Sequence, residues 1–238
     1  LCLNQARILS EKSMAITTTD TALLRLLQLS SAALPVGGYS FSQGLEYAIE
    51  EGWLSNREQV AQWLSLQLSE SLAYVDLPLL SRQLQAARIA DQEALAYWNA
   101  YTLACRETSE LRLTDVAMGV ALTRLLNSLE VPMAYTNKKE MTFVTAFAMA
   151  AAHWQLESRV ACHGYLWSWL ENQVAAATKI VPLGQTMAQQ LLSDLLEQIP
   201  AAINRSETID DQSIGASLPA LAMASVWHET QYTRLFRS

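Results

Sequence analysis

Turn-forming residues are scarce in this chain, and that scarcity limits its architecture more than any other feature. Eight glycines and six prolines punctuate 238 residues, roughly half the usual share. A sandwich or barrel needs a turn about every 8–12 residues, which so few breakers cannot supply. Leucine and alanine, 38 and 34 residues, make up about 30% of the chain, and both favour helix because neither loses much rotamer freedom there. The expected fold is all-α. No fixed-period repeat, heptad series or low-complexity tract divides the sequence, which points to a single-domain bundle of about nine or ten helices.

Punctuation and periodicity place those helices. Asp20 is a candidate N-cap for a helix carrying Leu23, Leu24, Leu26 and Leu27, which Leu34-Pro35 ends, since proline disfavours the α conformation before it. The loop Leu34 to Gly44 holds Gly37-Gly38, where the lack of Cβ permits positive φ or close backbone approach. A short helix from Leu45 to Glu51 stops at Gly52. Ser55 and Glu58 have capping-box spacing ahead of Val60, Trp63, Leu64, Leu68 and Leu72, one apolar face at helical period. Further helices are expected from Asp76 to about Ile89, from Asp91 towards Cys105, around Val116 to Leu126, from Met141 to Gln155, from Ser158 to about Ile180, from Gln185 to Gln198, and from Pro219 to about His228. The Met141–Gln155 stretch is nearly apolar all round, as a central buried helix should be. Residues 204–216, rich in Asn, Ser, Asp and Gly, read as a mobile segment.

Sixteen Lys+Arg against 23 Asp+Glu give a net charge of −7. That balance argues against general binding to nucleic acid or anionic membranes, both of which demand a cationic face. Cys2, Cys105 and Cys162 are odd in number and far apart, so neither a disulfide framework nor a zinc knot is expected. The apolar run Met141 to Leu156 falls short of the ~20 residues of a membrane span. With no secretory signal pattern visible, a cytoplasmic protein is expected. Residues 1–13 read as a tag or upstream extension before Met14, and residues 14–238 as one domain.

Motifs for catalysis are missing from the sequence. There is no P-loop and no Gly-x-Ser-x-Gly elbow. His153, His163 and His228 are scattered, and adjacent Cys162-His163 would point about 100° apart on a helix, so core or surface roles are expected rather than metal ligation. His228-Glu229 lacks the second histidine of a zinc helix, because position 232 is Tyr. Asp210-Asp211 in a polar loop reads as capping or solvated. No cofactor is expected. The competing class is an enzyme built on a helical bundle, with a small-molecule pocket between helices.

The chain ends Tyr232-Thr233-Arg234-Leu235-Phe236-Arg237-Ser238, mixing aromatic, aliphatic and cationic groups where solvated polar residues are usual. Such a tail on an acidic protein points to docking, and Arg237 offers a planar fork for carboxylate or phosphate. A tail folded back on its own domain is the alternative. Seven tryptophans fill space between helices in the main. Trp167 and Trp169 face about 200° apart, so one of them can meet a neighbouring element or a partner.

Three segments, in this order, resemble the UreF family of urease accessory proteins. They are Ser30-Ser31 through Leu34-Pro35-Val36-Gly37-Gly38-Tyr39-Ser40-Phe41-Ser42-Gln43-Gly44-Leu45-Glu46, then Trp167 to Val174 through Lys179-Ile180-Val181-Pro182-Leu183-Gly184-Gln185, and Met223-Ala224-Ser225 through His228-Glu229, Gln231-Tyr232 and Arg234 to Ser238. The resemblance runs from about Thr21 to the C-terminus. It implies a non-catalytic, all-α chaperone that joins UreD (also called UreH) and the GTPase UreG on apo-urease, so that nickel enters the active site in a GTP-dependent step. It also implies a homodimer within that complex.

By the same resemblance the tail Tyr232, Arg234, Leu235, Phe236, Arg237 and Ser238 orders on binding UreD, and Arg237 takes the place of the arginine tied to recruiting UreG. The tail is therefore expected to be disordered in the isolated chain and to order on its partner. Gly37, Gly38 and Tyr39, with Gln43 and Glu46 on the following turn, are expected on the GTPase-facing or dimer surface. Lys179 is a further candidate, although a cation near a helix C-terminus also has a structural reason to be there.

Overall fold

The computed structural model describes residues 19–137 and 139–237. The proposed extension 1–13, the first residues of the proposed domain, Lys138 and the tail residue Ser238 lie outside these described residues. Eleven α-helices and no strands are found among them: α1 Asp20–Leu29, α2 Leu45–Glu50, α3 Arg57–Gln67, α4 Asp76–Arg88, α5 Gln92–Ala104, α6 Ser109–Ser128, α7 Phe143–His153, α8 Ser158–Ile180, α9 Gln185–Leu196, α10 Ile199–Ser206 and α11 Pro219–His228. The all-α expectation holds. No helix among the described residues is long and apolar enough to cross a membrane.

The central element is α7, whose residues Phe143 to Ala151 are all buried. It is surrounded by α4, α5, α6 and α8, which explains its lack of a polar face. Its crossing with α6 is tight: a Cβ added at Gly119 would stand 2.2 Å from the Met141 carbonyl oxygen. The two threonines of this region serve a buried network rather than solvent. Thr145 Oγ1 contacts both Gln83 Oε1 and Asn99 Oδ1, and Asn99 Oδ1 accepts from Thr142 N at 3.0 Å. Polar groups removed from water must pair in this way.

One helix more than expected comes from the region of Pro200. The sequence reading ends a helix at Gln198 and leaves 204–216 mobile. Instead α9 stops at Leu196 and α10 starts at Ile199 with Pro200 in its first turn, a position where no backbone N–H is needed and the fixed φ already suits the helix. The segment that follows is fastened. Arg82 Nη2 donates to Ile209 O at 2.6 Å and its Nε to Asp211 at 2.9 Å, while Tyr101 Oη donates to Ile214 O at 2.9 Å. Asp210 caps the short turn Asp211–Ser213 by accepting from Ser213 N.

Caps also shift by one residue at two starts. Thr19, not Asp20, caps α1. At α3, Asn56 caps by accepting from Gln59 N, and Gln59 Oε1 accepts from Ser55 N, one residue before the cap, at 2.7 Å, so Asn56 and Gln59 rather than Ser55 and Glu58 close the helix start.

A second buried polar centre lies where α4, α6 and α8 meet. Arg106 bonds Asp76 through both terminal nitrogens, at 2.7 and 3.2 Å, and Asp115 through Nε at 2.8 Å. Tyr165 Oη donates to Asp76 at 2.8 Å and Phe143 N to Asp115 at 2.7 Å. Burial disfavours the Arg106 cation, but the two carboxylates outweigh it and push its pKa well above the ordinary value. A cavity of about 100 Å³ adjoins this centre, lined also by Gly38, Gln43 and Gln173.

Candidate partner-docking site

The loop between α1 and α2 is shaped by glycine. Gly37 has φ +77°, which L side chains resist. At Gly38 the constraint is proximity, since a Cβ there would lie 2.8 Å from Asn172 Nδ2 of α8. These two turns bring the loop flat against α8, leaving Tyr39 exposed and Phe41 buried. Gln43 accepts a hydrogen bond from Trp169 Nε1 at 2.9 Å. Of the tryptophan pair, Trp169 thus meets the loop, whereas Trp167 is more than one-third exposed, at 36%.

Glu46 does not face outwards. It is buried in the first turn of α2, and its Oε2 meets His228 Nε2 at 2.9 Å. The other ring nitrogen of His228, Nδ1, is 2.9 and 3.0 Å from the two carboxylate oxygens of Glu110. His228 has no exposed surface. Burial works against its imidazolium, but hydrogen bonds and charge from Glu110 and Glu46 prevail, and the pKa is raised above 6.5. Because the two nitrogens point to opposite sides of the ring, the carboxylates cannot close on a single metal ion. Among the described residues no group of three or more His, Cys, Asp and Glu is arranged to hold one. Glu229, the sequence neighbour of His228, turns instead to Ser109 Oγ and Glu110 N.

The same Glu46 carboxylate holds the chain end. Leu235 N donates to Oε1 at 2.6 Å and Phe236 N to Oε2 at 3.0 Å. One residue on, Arg237 N donates to Ser40 O at 2.9 Å. The Phe236 ring is buried and lies 5.2 Å from Lys179 Nζ, which is also 5.8 Å from the Tyr39 ring. These contacts seat Leu235, Phe236 and Arg237 of the tail against α2 and the loop that precedes it. A buried carboxylate without further partners would be costly, and the two tail amides satisfy it.

Loop, α8 terminus and tail, separate in the sequence, thus form one surface. Gly37, Gly38, Gln43, Glu46 and Phe236 build its floor. Tyr39, Arg234, Leu235 and Arg237 stand exposed on it, with Lys179 between Tyr39 and Phe236; Tyr232 is exposed a few residues before the attached ones. Sequence reasoning missed Glu110 and expected His228 only as a core or surface residue; it is a core residue. Both sit at helix ends, Glu110 in the first turn of α6 and His228 in the last of α11. Nothing local marks them as partners across 118 residues.

Comparison with known proteins shows which family the chain is similar to. The family model described as UreF matches residues 54–196, a span that includes neither the glycine loop nor the tail. The chain is 57% identical over 223 residues to "Urease accessory protein UreF" of Marinomonas sp. (strain MWYL1), covering 94% of this chain and 97% of that protein. Identity to the protein of the same name from Pseudomonas entomophila (strain L48) is 47% over 222 residues, 92% of this chain and 99% of the relative. For Alkalilimnicola ehrlichii (strain ATCC BAA-1101 / DSM 17681 / MLHE-1) it is 46% over 224 residues, 93% and 98%. With a family model spanning more than half of its length and relatives matched almost end to end, the chain belongs to the UreF family of urease accessory proteins.

Proposed function

We propose that this protein is a cytoplasmic adaptor in urease maturation, without catalytic activity of its own. In this reading it joins UreD (UreH) and the GTPase UreG to apo-urease as a homodimer within the complex, and GTP-dependent insertion of the nickel cargo takes place on its companions. Family membership supports the urease-accessory part. The single observation that supports the docking part is the shared surface of Tyr39, Lys179, Arg234, Leu235 and Arg237: aromatic, aliphatic and cationic groups exposed together on an otherwise acidic protein. Aromatic residues and arginine are what interface hot spots favour.

The interhelical cavity gives little to the enzyme alternative. Asp76 and Asp115, the buried carboxylates on its wall, are both committed to Arg106, which removes them as general acid or base. The test is capture of purified UreD and UreG by this protein, with and without nucleotide, followed by mass measurement of the assembly. Arg237→Ala should weaken capture and lower urease activation in cells lacking only this protein. Undiminished capture and activation by that variant would refute tail docking.

A further inference from the structure

We propose that the outer face of α6 is a docking surface for an acidic amphipathic helix of a companion protein: Leu113, Val116, Ala117 and Val120 form its apolar stripe, and Arg112 and Arg124 read two carboxylates about three turns apart. That the companion belongs to the urease-maturation assembly rests on the function proposed above; the surface itself does not.

The stripe follows from the helical period. At about 100° per residue, Leu113, Ala117, Val120 and Arg124 fall within about 60° of one another, with Val116 alongside. They lie opposite Leu122, which is fully buried. Leu113 is 58% exposed, and Val116, Ala117 and Val120 are half-buried. A single exposed leucine is ordinary, but a run of apolar side chains along two turns of an outer helix face marks a contact. The acids of α6 are turned away from that face: Glu110 is buried against His228 and Asp115 against Arg106. α7 packs on the inner side and α11 meets the first turn through Glu110, which leaves the stripe open.

Charge decides what covers it. Arg112 and Arg124 are exposed, and among the described residues neither guanidinium has an ionic, hydrogen-bond or ring partner. Arg57, Arg82, Arg106 and Arg159, by contrast, each pair with a carboxylate. In a chain of net charge −7, a helix with two unpaired arginines and no exposed Asp or Glu is a local cationic patch. An acidic helix complements both features. Its apolar side chains meet the stripe, and carboxylates about 18 Å apart along its axis meet the arginines, each taking the planar fork in two parallel hydrogen bonds. The small side chains of Ala117 and Ala121 allow helix axes to approach to about 8–10 Å. A second copy does not fit. Whether a two-fold axis runs along the two helices or across them, arginine of one copy meets arginine of the other, like charge against like.

The experiment has two arms, both on the full chain. In the first, fluorescence anisotropy measures binding of a synthetic helix with a leucine stripe flanked by glutamates, against the same helix with lysines in their place. The glutamate helix should bind at least about tenfold more tightly, lose that advantage on Arg124→Glu, and weaken as salt rises. In the second, a photo-crosslinking side chain at position 120 is irradiated in the assembly with UreD, UreG and apo-urease, and should join an acidic helix of one of them. Val120→Arg should lower capture of that companion by about tenfold or more without moving the thermal midpoint; if it does not fold, Arg124→Glu decides. Equal binding of the two synthetic helices, binding indifferent to Arg124→Glu, or crosslinks to a second copy of this chain or to a non-acidic segment overturn the proposal. Binding of the glutamate helix with no crosslink to any companion upholds the surface and counts against the adaptor reading instead. Undiminished capture by Arg237→Ala, with the crosslinks intact, refutes tail docking alone.

Discussion

Replacing Phe236 by alanine separates a tail that is lightly attached from one that is part of the core. The ring is 4% exposed and stands 5.2 Å from Lys179 Nζ. Burying a phenylalanine side chain contributes about 1.5–3 kcal/mol, and a cation over its face adds roughly 0.5–1 kcal/mol. The substitution therefore removes about 2–4 kcal/mol from the attachment. What remains is the pair of amide bonds to Glu46 and the Arg237 N–Ser40 O bond, worth about 1.5–3 kcal/mol each for the former and about 1 for the latter. Ordering the four residues from Arg234 to Arg237 costs about 1–2 kcal/mol per residue, which is of the same size. In the variant the segment should detach while the body stays folded, because no helix relies on this ring alone. Limited trypsin digestion reads the difference, since cleavage after Arg234 requires the chain to leave Glu46. The variant should be cut at that bond at least about tenfold faster than the wild type, with a thermal midpoint lowered by no more than a few degrees. Equal cleavage rates would mean that the wild-type tail is already loose. A midpoint lowered by ten degrees or so would mean that Phe236 belongs to the global core. Either result refutes the reasoning.

Two further substitutions test the body of the molecule. Arg106→Ala leaves Asp76 and Asp115 buried without their cation and should lower the free energy of urea unfolding by about 3–5 kcal/mol; a loss below about 1 kcal/mol would show that the carboxylates find other partners. Gly119→Ala forces a methyl group to within 2.2 Å of the Met141 carbonyl, and only separation of α6 from α7 can relieve it. A destabilisation of at least about 1–3 kcal/mol is expected by thermal or chemical unfolding, and wild-type stability in this variant would contradict the close crossing.

The amino-acid sequence by itself determined the fold class and most of the helices. Helical period, caps and breakers act over three to four residues, so the apolar stretch from Met141, the long helix ending at Ile180 and the stop at Gly52 can be read from neighbours alone. The same locality explains the errors. Pro200 breaks a helix or begins one depending on whether the preceding turn has already ended, and Ser55 competes with Asn56 for a single cap. Residues 204–216 look mobile by composition, yet Arg82 and Tyr101 hold them from other helices.

The candidate site divides along the same line. The sequence singled out the glycine loop, Lys179 and the tail as separate segments, and only the tertiary structure decided that they meet. It also decided that Glu46 turns inward to hold Leu235 and Phe236 across about 190 residues. His228 and Glu110 had no local mark, because a charge pair formed by packing three helix ends together has no period and no fixed spacing in the chain. What a residue does there depends on the burial that removes water from around it, and burial is a property of the assembled fold.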